Sequence, residues 1–136
     1  MTKLENNWLH KTLENLEKDY WGEPGYDSYL VTRVHAIRKL PLIELTIDDI
    51  AMMLRQKFSL DFLVPLAIDK LKDDILAYGD SGSEGDLMEA MLKIPSDFWI
   101  SNRDYWITIK KLLDDTNIIW TFKNYAHFNK GKSELI

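Results

Sequence analysis

Cysteine is absent from the 136 residues. No disulfide framework, zinc-thiolate site or cysteine nucleophile is therefore available. A fold of this length does without such staples, because one core can bury most of its apolar surface. Histidine is sparse: His10, His35 and His127 lie far apart, and no pair has the i,i+4 spacing of a zinc-binding helix. Phosphate cradles are missing too, since neither GxxxxGK[ST] nor GxGxxG occurs, and no serine sits in GxSxG. Long apolar runs are also lacking. The longest, Phe62–Ile68, is far too short to cross a bilayer, and the amphipathic start MTKLENNWLHKTLENLEKDYW has no apolar h-region. The composition predicts one cytoplasmic domain over residues 1–136, with no cofactor, no metal and no membrane contact.

The charge that is present is concentrated. Net charge is −5. Between Asp69 and Glu89 seven acids face two bases, so this stretch alone carries the whole imbalance. An acidic surface repels phosphate backbones and steers toward basic partners, which argues against direct nucleic-acid binding. It also serves plain solubility. The paired acids 48–49, 73–74 and 114–115 are poor metal sites, because adjacent helical side chains point about 100° apart. The loop Asp80–Asp86 has a calcium-like rhythm, with Gly85 at the sixth position. It fails at Gly82, which has no side-chain oxygen, and at Met91, where a bidentate Glu is needed.

Apolar periodicity predicts an all-α fold, a compact single-domain bundle of about six to seven helices. Leu4, Trp8, Leu9, Leu13, Leu16 and Tyr20 place a helix over 4–20, closed by Gly22, Pro24 and Gly25. Ser28 caps a second helix whose inward stripe is Tyr29, Leu30, Val34, Ile37 and Arg38, with the charged end of Arg38 reaching solvent. Thr46 and Asp49 form a capping box for a third. A fourth, apolar on two rows and so central, is expected to start at Asp61, leaving Pro65 at the edge of its first turn. It runs into the glycine-rich loop Tyr78–Asp86. Asp86 and Glu89 are expected to cap a fifth helix reciprocally. Ser96–Trp99 reads as a tight turn, and Ser101 as the cap of a sixth helix. The tail Ile118–Phe128 alternates like a strand yet also fits a helix, which is the preferred reading.

Aromatics make up 12% of the chain. Most suit the core, but Tyr20, Trp21 and Tyr26 cluster around Gly22-Glu23-Pro24 in a loop, where binding residues often lie. The plainer alternative is that these rings cap the end of the bundle.

In order along the chain, EKDYWGEPGYDSYLV (17–31), LVPLAIDKL (63–71), YGDSGSEGDL (78–87) and IPSDFW (94–99) resemble a family of bacterial immunity proteins of contact-dependent growth inhibition systems, CdiI. The resemblance covers roughly residues 12–100 and does not extend past Ser101. It implies a non-enzymatic cytoplasmic protein that binds the C-terminal toxin domain of its cognate CdiA. Many such toxins are nucleases with basic active sites, which an acidic inhibitor complements. Toxin-binding candidates are the acids Asp69, Asp73, Asp80, Glu84 and Asp86, with Tyr20, Trp21, Tyr26 and Tyr78 as aromatic anchors. A helical adaptor with another basic protein partner is the main alternative, and a small carboxylate hydrolase is a third reading.

Overall fold

In the computed structural model, which describes residues 8–25 and 28–115, three helices begin where short polar side chains meet free amides. Ser28 Oγ accepts from the Val31 amide at 3.1 Å and opens α2, Tyr29–Arg38. Thr46 opens α3, Ile47–Arg55, with a full capping box. Its hydroxyl accepts from the Asp49 amide, and the Asp49 carboxylate accepts from the Thr46 amide, each at 3.1 Å. Such a box satisfies two amides that a helix start leaves without partners. Both starts are where the sequence predicts them. The other helices among the described residues are α1 Leu13–Glu17, α4 Leu60–Asp73, α5 Asp86–Leu92, α6 Ser96–Ser101 and α7 Arg103–Asp114. Short 3₁₀ turns occupy Trp8–His10 and Leu42–Glu44. The chain is an all-α bundle, with no strand among the described residues. Among the described residues, no helix is long and apolar enough to cross a membrane.

α4 is the central element. Leu63, Val64, Leu66, Ala67, Ile68 and Leu71 are all buried, so both apolar rows are covered, and α3, α5 and α7 all pack against it. α3 and α5 press closely on each other, and Ile50, Met53 and Leu54 of the one and Leu87 and Met91 of the other are buried. Each such aliphatic side chain contributes about 1.5–3 kcal/mol by leaving water.

Five local expectations are corrected. Over the described part of 4–20 there is no continuous helix. Lys11 and Thr12 leave the helical path to meet the Leu42–Glu44 turn, with the Leu42 amide on the Lys11 carbonyl at 3.0 Å and a bridge from Thr12 to Pro41. Thr12 then caps α1, which stops at left-handed Lys18. α4 starts at Leu60, not at an Asp61 cap. Lys57 and Ser59, both left-handed, reverse the chain early and turn Leu60 and Phe62 toward the core. Pro65 therefore lies in the second turn, and its buried ring offsets the hydrogen bond that it cannot give. α5 has no side-chain cap, because its N-cap is left-handed Gly85 and Asp86 is already the first helical residue; the Asp86 carboxylate is held by Arg55, and Glu89 pairs with Lys93. Ser96–Trp99 is the start of a helix, and Ser101 ends that helix instead of capping the next. Arg38 is 2% exposed, whereas Tyr29 and Leu30 face outward. The segment Ile118–Phe128 lies outside the described residues, as does Tyr26.

Candidate functional site

The acidic loop 78–85 is built by backbone bonds and by two helices behind it. The Gly82 amide reaches the Gly79 carbonyl, the Gly85 amide reaches that of Leu76, and the Leu87 amide reaches that of Ala77, all within 3.2 Å. From α3, the Asp48 carboxylate accepts the Ser81 amide at 2.9 Å. This contact needs Gly79: a Cβ there would stand 2.5 Å from the Asp48 carboxylate. Gly82 serves Asp86 likewise, since its Cβ would lie 2.7 Å from that carboxylate. Arg55 of α3 holds Asp86 at the far end of the loop.

Between the loop and α2 lies a groove of about 340 Å³, walled by Tyr29, Asp48, Met52, Gln56, Ser81 and Asp86. The charges here are unequally matched. Arg33 grips Asp49 with two hydrogen bonds, 2.9 and 2.7 Å, and Asp86 has Arg55. Asp48 has an amide donor but no cation among the described residues. Asp80 and Glu84 are exposed and likewise lack an ion-pair partner there.

On the other side of Gln56 is an apolar cleft of about 140 Å³, formed by Trp21, Leu30, Val31, Val34, His35 and Phe58. Its wall is the segment after α1, and Arg38 fixes it. One guanidinium nitrogen of Arg38 donates to Glu17 at 2.5 Å, another to the Asp19 carbonyl at 2.7 Å, and the group lies 4.4 Å from the centre of the Trp21 ring. Trp21 also meets His35 and Phe58 edge-on, at 5.2 and 5.7 Å between centroids. His35 Nδ1 lies 3.1 Å from the Gly22 carbonyl oxygen. The indole remains 37% exposed, Tyr20 66% and Tyr29 74%.

The candidate residues from the sequence divide into three groups. Tyr78, Asp80 and Glu84 stand exposed on the loop, while Asp86 below them is engaged with Arg55. Tyr20 and Trp21 lie on the segment that closes the apolar cleft. Asp69 and Asp73 project one turn apart from the exposed face of α4, and neither carboxylate forms an ion pair with another described residue. Sequence reasoning missed Asp48, Gln56, Tyr29 and Leu30 as surface features. The signal available was the spacing 79–82–85 of the glycines, which marks where side chains crowd a backbone. Among the described residues, no three His, Asp or Glu side chains converge where a metal could sit.

A family model described as CDI immunity proteins, CdiI_3, matches residues 15–109. The matched stretch contains both hollows and runs well into α7, further than the landmarks ending at Trp99. No curated protein and no solved structure matches the chain.

Proposed function

The chain belongs to the family of CDI immunity proteins, and from that premise we propose that residues 1–136 act as a single immunity domain in the cytoplasm. It binds the C-terminal toxin domain of its cognate CdiA and silences it by covering the active site or substrate surface. The toxin is a nuclease with a basic surface, and the immunity protein itself catalyses nothing. The family match over residues 15–109 carries this reading. The acidic loop supports it: an exposed negative surface on a fixed frame suits a partner built to grip phosphates, because opposite potentials speed encounter and reject wrong partners.

Asp80 and Glu84, with Tyr78 beside them, are the loop residues free to meet that partner, and Tyr20, Trp21 and Tyr26 are the aromatic anchors. Asp69 and Asp73 extend the negative field along α4. Asp86 contributes charge from its pair with Arg55, so its reversal would also set two cations against each other.

Co-expression with the toxin domain encoded beside this gene should yield a stable complex and restore growth to cells making the toxin. The double variant D80K/E84K should keep the helical circular dichroism spectrum and weaken toxin binding about tenfold or more in calorimetry. A toxin domain that neither co-purifies with the chain nor loses toxicity beside it would refute the function.

A further inference from the structure

We infer that the toxin-binding surface is centred on Gln56, where acidic groove and apolar cleft meet, and that it receives a toxin segment presenting one basic and one apolar side chain side by side. This inference rests on the toxin-neutralising reading and adds a location and a recognition rule to it. Gln56 lines both hollows, so they open onto one surface. At the start of α2, neighbouring residues serve the two: Tyr29 borders the groove and Leu30 the cleft.

The cleft of about 140 Å³ is close in size to a dry cavity of about 150 Å³ lined by Leu, Ile and Phe that holds benzene. It therefore admits one aromatic or branched aliphatic side chain. Its wall is set before anything binds, because Arg38, His35 and Phe58 hold Trp21 in place. A preorganised pocket loses less freedom on association, and a buried anchor in such a pocket is where interface energy concentrates.

The groove supplies the second half of the rule. Asp49 and Asp86 already have arginines, whereas Asp48, among the described residues, has only the Ser81 amide. An incoming lysine or arginine would complete the pairing of Asp48. Asp80 and Glu84, on the loop that carries Ser81, extend the attracting field. The same charges repel a phosphate backbone, and they repel a second copy of this face. A basic protein segment is the occupant that satisfies both hollows.

The test is calorimetric titration with a catalytically inactive form of the toxin domain encoded beside this gene. L30D places a carboxylate at the mouth of the cleft. D48N removes the charge but keeps an oxygen for the Ser81 amide. Each should raise Kd about tenfold or more. E44Q makes the same change in net charge at an exposed residue of the 42–44 turn and should bind as wild type. Amide exchange of the wild-type complex should show new protection at residues 28–35 and 55–58, and this readout decides the matter even if L30D fails to fold. Wild-type Kd for both variants, or no protection of those stretches in a formed complex, would place the interface elsewhere and overturn the inference while leaving toxin neutralisation intact. Failure of the wild-type chain to bind the toxin at all would remove the functional reading and this inference with it.

Discussion

At the scale of single residues, Arg38 departs most from its sequence reading. A long cation at the edge of an apolar stripe ordinarily extends its head to water. Here the head is buried, and it is tolerated because Glu17, the Asp19 carbonyl and the Trp21 face receive it. Those partners lie 17 to 21 residues earlier in sequence, beyond the reach of any local rule. Removing one partner of a buried pair costs about 3–5 kcal/mol. Glu17 is still 26% exposed, so R38A should fall near the low end, about 3 kcal/mol by urea unfolding. R38K should recover only part of this, since a compact ammonium lacks the planar fork that reaches two separated acceptors while lying flat on an indole. A cost under about 0.5 kcal/mol for R38A, the range of ordinary surface changes, would show that the arginine does not hold the segment.

Tyr105 gives a second residue-scale expectation. Burial first, then the nearby charges of Asp61 and Asp104, raise its phenol above the ordinary 10.0. The native state thus holds this proton more tightly than the unfolded chain does. Its contribution to stability is complete below pH 10 and is lost as pH rises through the native pKa. Urea midpoints measured across that alkaline range should fall less steeply for Y105F than for wild type. Parallel curves would contradict the linkage.

At the scale of elements, what was legible depended on distance along the chain. The Ser28 cap and the Thr46–Asp49 box each close within three residues, and both are where the sequence puts them. Pro65 does not mark the start of α4, because the left-handed pair Lys57 and Ser59 sets it earlier. The pairing of Asp86 with Arg55 spans 31 residues, beyond what the local capping pattern of Asp86 and Glu89 could show. The acidity of the loop could be counted, but its shape could not be inferred, because its strut is Asp48, 33 residues before Ser81. That strut can be isolated. G79A should push the Asp48 carboxylate off the Ser81 amide and cost about 1 kcal/mol, the worth of one hydrogen bond. In a D48A background the same change should cost much less. A double-mutant cycle with no coupling would mean that the glycine serves something else.

At the scale of the whole molecule, the imbalance of charge makes a kinetic statement. Net charge is −5 and resides between Asp69 and Glu89. Steering by such a patch is screened beyond about 10 Å at 0.1 M salt. The association rate with the toxin domain should drop about tenfold or more between about 50 mM and about 500 mM salt, with dissociation changed far less. Stopped-flow traces using the change in tryptophan fluorescence can follow this. An association rate indifferent to salt would leave the acidic patch as a solubility feature only.

The way the 78–85 turn is supported separates its form from its lettering. Backbone bonds, Asp48, and the room left by Gly79 and Gly82 hold it, and none of these uses the side chains of Asp80, Ser83 or Glu84. Those three positions can be rewritten while the loop keeps its outline and the bundle its stability. An immunity protein built so can follow a changing toxin by small steps, each one compatible with folding, and sister proteins guarding against different toxins can diverge there first.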